Sequence, residues 1–276
     1  MRVRRQVRVN RADAIEPHDH VAWYGDGADD LYALARVALA AGVRRGEKLM
    51  FVAREPQPAF LRGIGDLDRL LERGQLEVVD VDEVYGSSHS FSAAEQLATF
   101  EGVLEEALAA GYTGIRVVAD NTPLVNGDDD DFHRWLQWEQ ITDRFQARSN
   151  VTGVCYFDRG VLDARRQSDI AALHPVRAES SVEPPFSLFA DGDAVSVTGA
   201  LDAWSAEQFR RVLDTSPGAD ALVVDLSHAE YVDHRALLAL NEVASAERPV
   251  RIRRAPGIVQ RMPSLLSIST PYLSFE

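Results

Sequence analysis

The sequence predicts an α/β protein in two successive units: a parallel sheet covered by helices on both faces, then a small α/β domain opened by a pair of antiparallel strands. Three observations predict it. Between residues 20 and 173, short apolar runs alternate with stretches of helical period, the pattern of a helix-covered parallel sheet. The segment HPVRAESSVEPP (174–185) breaks that series with three prolines, charges and serines, and reads as a linker. Beyond it, FSLFAD and AVSVTG flank Asp191-Gly192-Asp193, whose Gly-Asp favours a tight turn between paired strands. A chain of 276 residues is long enough for two cores of ordinary size.

The first strands are HVAWYG (20–25), LMFVA (49–53), LEVVDV (76–81), GIRVVAD (114–120) and VTGVCYF (151–157), whose Val, Ile and aromatic content suits strands buried on both faces. Helical patterns fill about 29–44, 57–73, 92–110 and 131–147, and Gly46, Gly74 and Gly111 follow three of them as stops. A last helix covers 161–173. The second unit continues with a helix near 204–214, the strand ALVVDLS (221–227), a helix over 234–247, the strand PVRIRR (249–254), a helical stretch over 257–266 and a short strand near YLSF. The expected domains span 12–176 and 186–276.

Composition excludes several functions. No run of about 18 apolar residues occurs, and the arginine-rich start MRVRRQVRVNRADAIEP lacks the apolar centre of a secretory signal, so a cytoplasmic protein is expected. The formal net charge of −14, from 43 acidic and 29 basic residues, argues against nucleic acid and anionic lipid as partners. Cys155 is the single cysteine, which rules out an internal disulfide and a cysteine-rich metal site and reads first as a small buried residue. Lys48 is the single lysine and stands at the entry of a strand, so no phosphate-binding loop with its Gly-Lys-Ser/Thr ending is present.

The most informative stretch is VVDLSHAEYVDHRALLAL (223–240). An apolar strand ends in a polar turn, and Asp233 stands where it can cap the next helix, accepting backbone N–H groups and facing the positive end of the dipole. Leu237, Leu238 and Leu240 supply the apolar stripe. With Asp225, Leu226, Ser227, Tyr231, Val232, Asp233 and Leu237 in step, residues 186–276 resemble a STAS domain of the anti-sigma factor antagonist type. The resemblance implies a protein partner, an anti-sigma factor or GHKL-type serine kinase, docking on Asp233, His234, Arg235, Ala236 and Leu237. In that family the residue after the aspartate is a serine phosphorylated by the partner. Here it is His234, so the fold and partner surface carry over and the phospho-switch does not. Ser227, at the strand end, reads as structural.

In the first unit the carboxyl ends of the strands, where open parallel sheets bind ligands, carry Tyr24-Gly25-Asp26, Arg54-Glu55, Asp82, Asp120-Asn121 and Phe157-Asp158. This acidic, aromatic rim offers no cradle for a triphosphate. The pieces His20-Val-Ala-Trp-Tyr24, Ala-Gly-Val-Arg-Arg-Gly-Glu47, Gly111-Tyr-Thr-Gly-Ile-Arg116, Glu139, Cys155-Tyr-Phe-Asp158 and His174-Pro175 together resemble the MEDS sensory domain, a relative of RecA/KaiC-type ATPases. That resemblance implies a RecA/KaiC-like sheet and a pocket for a small organic molecule, with His20, Tyr24, Arg116, Asp120, Glu139, Cys155, Tyr156 and Asp158 as ligand-binding candidates. The family's Cys-x-Tyr-Asp stands here as Cys-Tyr-Phe-Asp, without a hydroxyl at Phe157.

Other features read as structure. His18 and His20 alternate before a strand and, with no cysteine beside them in sequence, take structural or surface roles rather than forming a metal pair. His174-Pro175 reads as a helix stop. NGDDDDFHRW (126–135) lacks the spacing of a calcium loop and reads as a solvated helix start, where acids favour the dipole. Arg116 fits a buried ion pair and a ligand clamp equally. The sequence therefore leads to a cytoplasmic signalling protein, with no cofactor and no catalytic residue assigned and with a homodimer open, in which ligand capture at the strand ends would reorient the linker and expose or mask the second domain's surface. A non-sensing scaffold of a STAS assembly, and a hydrolase using Asp120, Glu139 or Asp158 as general base, are the alternatives.

Overall fold

The computed structural model describes residues 4–86, 92–217 and 220–276. The strands of the first sheet are β1 (Val7–Val9), β2 (His20–Gly25), β3 (Lys48–Ala53), β4 (Leu76–Asp80), β5 (Ile115–Asp120), β6 (Val151–Asp158) and β7 (Val176–Ala178). They lie in the order β1-β7-β2-β6-β5-β3-β4, and every pair is parallel. The helices between them are α1 (Ala28–Arg45), α2 (Leu67–Glu72), α3 (Val81–Tyr85), α4 (Ala93–Ala109), α5 (Thr122–Val125), α6 (Asp129–Arg148) and α7 (Ala164–Leu173). Apolar residues of α1 and α2 cover one face of the sheet, and those of α4, α6 and α7 cover the other. The expectation of an α/β unit with a parallel sheet and helices on both faces holds.

The second sheet comprises β8 (Phe186–Asp191), β9 (Ala194–Leu201), β10 (Leu222–Val232), β11 (Val250–Arg253) and β12 (Leu273–Phe275), with helices α8 (Ala206–Asp214), α9 (His234–Val243) and α10 (Gly257–Leu266). Its order is β12-β11-β10-β9-β8, parallel throughout except for the β8–β9 hairpin expected at Asp191-Gly192-Asp193. Gly192 has φ +66°, a left-handed conformation that a side chain would disfavour in this tight turn.

Four local expectations need correction. The segment 174–185 is not only a linker: Val176–Ala178 pairs with β1 and β2, because Val176 and Ala178 are apolar and fully buried there. The arginine-rich start contributes β1, whose Val9 alone of its three residues turns inward. The helix over 57–73 is instead a 3-10 turn at Pro58–Leu61 and the short α2, separated by Gly63 and Gly65 at φ +104° and +143°. The strand over 76–81 ends at Asp80, which caps α3 by accepting the N–H of Asp82, so Val81 is helical.

The two units share one core. The apolar cluster beneath α4, α6 and α7 runs without a break into the second domain through Phe186, Leu188, Phe209, Val212 and Leu213. Polar ties reinforce the junction. Gln140 on α6 donates to Val212 O at 2.9 Å and accepts from Ser216 Oγ at 2.5 Å, and Asp169 on α7 forms a two-pronged ion pair with Arg211 at 2.8 and 2.9 Å. Burial on two sides explains why α6 hides Gln140 and Asp143 as well as its aromatic residues.

Candidate functional site

Side chains along a strand point alternately to the two faces of the sheet, and this parity sorts the candidate ligand residues. His20, Ala22 and Tyr24 on β2, and Cys155 and Phe157 on β6, face α4, α6 and α7. Val154 and Tyr156 face α1. Strands β2 and β6 are direct neighbours, with Ala22 opposite Cys155, so His20 and Cys155 reach the same point on one face. Glu139 descends onto it from α6, and His174 arrives from the end of α7.

Four donor atoms, one each from His20, Glu139, Cys155 and His174, lie within 4.8 Å of one another, and all four residues are buried. Glu139 Oε1 sits 2.6 Å from His20 Nε2 and 2.9 Å from His174 Nε2, and Cys155 Sγ is 3.7 Å from both His20 Nε2 and Glu139 Oε1. The imidazoles lie 4.2 Å apart at 43°. Each is anchored through its other nitrogen: His20 Nδ1 is 3.0 Å from Asp143 Oδ1, and His174 Nδ1 is 2.8 Å from Ile170 O. His174 Nε2, although near Glu139, makes no aligned hydrogen bond there.

Burial disfavours charge on every member of this cluster, and specific neighbours decide which members carry it. Burial would lower His20, yet the Glu139 and Asp143 carboxylates outweigh it and hold the imidazolium well above its ordinary range. Burial and the positive His20 push His174 down, so it is the neutral ring. Glu139 and Asp143 overcome their own desolvation, Glu139 through His20 and His174 and Asp143 through Arg4 and His20, and both are held below the usual carboxylate range. Burial and the Glu139 charge push the Cys155 thiol up to about 11.

Beside Glu139 and Cys155 a cavity of about 40 Å³ opens between the sheet and helices α4 and α6, walled by Tyr85, Phe100, Val117, Ala119, Trp138 and Phe145. One water needs roughly 10–15 Å³ on this measure, so the space admits a molecule of a few heavy atoms. Thr142 Oγ1 and Gln146 Oε1, both in its lining, are buried without a hydrogen-bond partner. Gly153 leaves room for the Gln146 amide: a Cβ would stand 2.6 Å from it, and the amide would have to shift. The cavity lies under the helices and reaches the rim at the carboxyl ends of the strands only at Asn121.

The remaining candidates divide. Tyr24 shares the cluster's face but spends its hydroxyl on Gln167 O at 2.8 Å and packs on Phe157. Arg116 lies on the opposite face as a buried ion-pair member, its Nε 2.6 Å from Glu47 Oε2, which excludes the ligand-clamp reading at this pocket. Asp120, Tyr156 and Asp158 form a separate rim. Asp120 accepts the Thr122 N–H and Asp158 the Gly160 N–H, ordinary turn contacts, and Tyr156 donates to Gly27 O at 2.6 Å. His18 turns away from His20, with φ +71° and Nδ1 2.7 Å from Ser149 O, so the two are no pair; His20 does meet a cysteine, from the neighbouring strand. The single lysine, Lys48, bonds Gly74 O and Glu77 at 2.5 Å.

Two members escaped the sequence reading. His174 enters the MEDS resemblance only within His174-Pro175 and otherwise reads as a helix stop, and nothing local marks it as a donor. Asp143 carried a faint signal, lying four residues after Glu139 and so on the same helical face. Its Oδ2 accepts the backbone N–H of Ala190 in β8 at 2.6 Å, while Oδ1 meets His20 and Arg4.

In the second domain Asp233 caps α9 as expected, accepting the N–H groups of Arg235 at 2.7 Å and Ala236 at 3.2 Å. Ala236 and Leu237 are buried and anchor the helix rather than offer surface, so this turn presents His234, Arg235 and Leu238. Tyr231 is exposed beside it. Trp204, which sequence reading passed over, is 93% exposed in the loop after β9, at the same sheet end because Leu201 pairs with Val232.

Comparison with known families agrees with this division. Residues 19–175 match the family model of MEDS, the methanogen/methylotroph, DcmR sensory domain, and residues 188–273 match the model described as Mlab, STAS domain. The first match covers more than half of the chain, which therefore belongs to the MEDS family and carries a STAS domain after it. No curated protein matches the chain. No helix among the described residues is long and apolar enough to cross a membrane.

Proposed function

We propose that this MEDS–STAS chain is a small-molecule sensor in which the first domain captures a compact organic ligand in the cavity beside Glu139 and Cys155, and the STAS domain passes that state to a protein partner. The observation that carries the reading is the position of α6. Glu139 on this helix borders the cavity, while Gln140 and Asp143, one and four residues further on, are bonded to α8 and β8 of the second domain. A ligand that moves Glu139 moves a rigid helix whose next turn is fixed in the STAS sheet, and a packed interface of this kind shifts between discrete arrangements rather than deforming smoothly. Signal transfer through α6 replaces the reorienting linker of the sequence reading.

The partner class is an anti-sigma factor or a GHKL-type serine kinase. His234 and Arg235 at the capped start of α9, with Tyr231, Leu238 and Trp204, form an exposed polar and aromatic surface, the composition of a protein-binding hot spot. His234 stands where the antagonists carry their phosphorylatable serine, so binding here would not be released by that route. A kinship with RecA/KaiC-type ATPases is a finer part of the reading. The all-parallel, doubly covered sheet supports it, and Lys48, spent on Gly74 and Glu77, separates it from nucleotide chemistry.

The test is a pull-down from cells that naturally make the chain, with wild type, His234→Ser and Trp204→Asp side by side. Recovery of a GHKL-type kinase by wild type and His234→Ser, phosphorylation of His234→Ser only, and loss of capture with Trp204→Asp are expected. Capture of the same kinase unchanged by Trp204→Asp, or phosphorylation of the wild type at the start of α9, would contradict the assignment.

A further inference from the structure

We propose that His20 Nε2, His174 Nε2, a Glu139 carboxylate oxygen and Cys155 Sγ form a binding site for a divalent transition metal of the zinc or ferrous class. The donor set is the first argument. Two imidazoles, one carboxylate and one thiol are borderline-soft ligands that suit zinc, cobalt and ferrous iron, and not the oxygen-seeking magnesium or calcium. Their convergence is the second. All four residues are buried, and they come from β2, α6, β6 and the end of α7, so the fold brings them together and no local motif does.

The outer contacts are the third argument. A metal-bound histidine characteristically gives its other ring N–H to a carboxylate or a backbone carbonyl, which fixes the tautomer and aims the free nitrogen at the ion. Both histidines have this arrangement: Asp143 holds Nδ1 of His20, the Ile170 carbonyl holds Nδ1 of His174, and both Nε2 atoms point to the same centre. His174 Nε2 has no aligned hydrogen bond to satisfy it.

Distances are the fourth. Metal–ligand bonds of about 2.0–2.3 Å in a tetrahedron set neighbouring donors about 3.3–3.8 Å apart. Cys155 Sγ already stands 3.7 Å from His20 Nε2 and from Glu139 Oε1. The two contacts from Glu139 to the histidines, 2.6 and 2.9 Å, need to open by under about 1 Å, and the widest donor separation, within 4.8 Å, needs to close by about as much, within reach of side-chain rotations. A bound cation reverses the local charge preferences, since it holds the thiol as thiolate and His20 as a neutral ring.

The site itself rests on the cluster alone. Its role as the ligand's landing point rests on the sensing reading, because Glu139 and Cys155 also line the cavity and a small donor molecule there could take a position on the ion. Neither histidine lines the cavity, so Glu139 and Cys155 are the donors next to a guest there.

The experiment uses the full chain produced in medium supplemented with zinc or cobalt, with no organic ligand and no partner, so its outcome is independent of sensing. Expected are one equivalent of metal by elemental analysis and, in the cobalt form, tetrahedral d–d bands with a thiolate-to-cobalt charge-transfer band. Cys155→Ser should abolish the charge-transfer band while circular dichroism stays native. His174→Ala should lose the metal, and Asp143→Asn should weaken binding about 10–100-fold. Should His174→Ala fail to fold, the wild-type and Cys155→Ser spectra decide. Substoichiometric metal in the wild type, a cobalt spectrum without the charge-transfer band, or full metal retention in both Cys155→Ser and a folded His174→Ala would overturn the proposal.

Discussion

On one face of the first sheet Arg116 meets Glu47, and on the other His20, Glu139, Asp143, Cys155 and His174 meet each other. Both groups are fully buried and both sit in the middle of apolar packing, yet they differ in how they close. Arg116 and Glu47 pair at 2.6 Å beneath α1, with Gly42 and Leu49 beside them and Arg116 Nη1 buried without a partner. The five-membered cluster borders a cavity and continues through Asp143 into the second domain. Buried charge alone therefore does not mark a site. What distinguishes the cluster is space for a guest and a bonded route outward.

Glu47→Ala strands the Arg116 guanidinium in the core and should cost about 3–5 kcal/mol of stability, measured by urea unfolding, since an uncompensated buried charge is the costliest single defect. It should leave metal binding per folded molecule unchanged. Asp143→Ala removes one acceptor from His20, Arg4 and the Ala190 N–H, and about 1–3 kcal/mol is expected from the groups left unsatisfied. Here the diagnostic is location: amide exchange should speed up in β8 more than in β3, whereas equal acceleration would reduce Asp143 to an ordinary core residue. Trp204→Ala should change stability by under about 0.5 kcal/mol, because an exposed side chain supports little packing, while partner capture falls. A large stability loss there would place Trp204 in the fold and not on a docking surface.

Much of the architecture was legible because it follows from period and apolar content. The five long strands and the helices α1, α4 and α6 stand close to where the pattern set them, and Asp233 caps α9 as its position before Leu237 and Leu240 required. The three-residue strands β1 and β7 were not legible, since three residues carry no period and Pro175 masks the second. The site was half legible. His20, Glu139 and Cys155 were named, but strand parity, available from their numbering, would already have set Tyr156 and Asp158 apart from Cys155. His174 and Asp143 are fixed by tertiary packing, which no local signal reports. Gln140 and Asp143 are polar positions on α6 whose burial comes from the second domain, which covers the helix from behind.

The proposed signalling requires α6 to move when the cavity fills. Short alcohols, amines and thiols of about one to three carbons match the available volume, and Trp138 in the cavity wall reports binding by its fluorescence. With a member of that panel saturating the fluorescence signal, hydrogen exchange of the full chain should change in 186–191 and 206–216, the segments bonded to α6 and α7, and not in β3 or β4. A saturated fluorescence signal with exchange in those two segments unchanged would contradict transmission to the second domain.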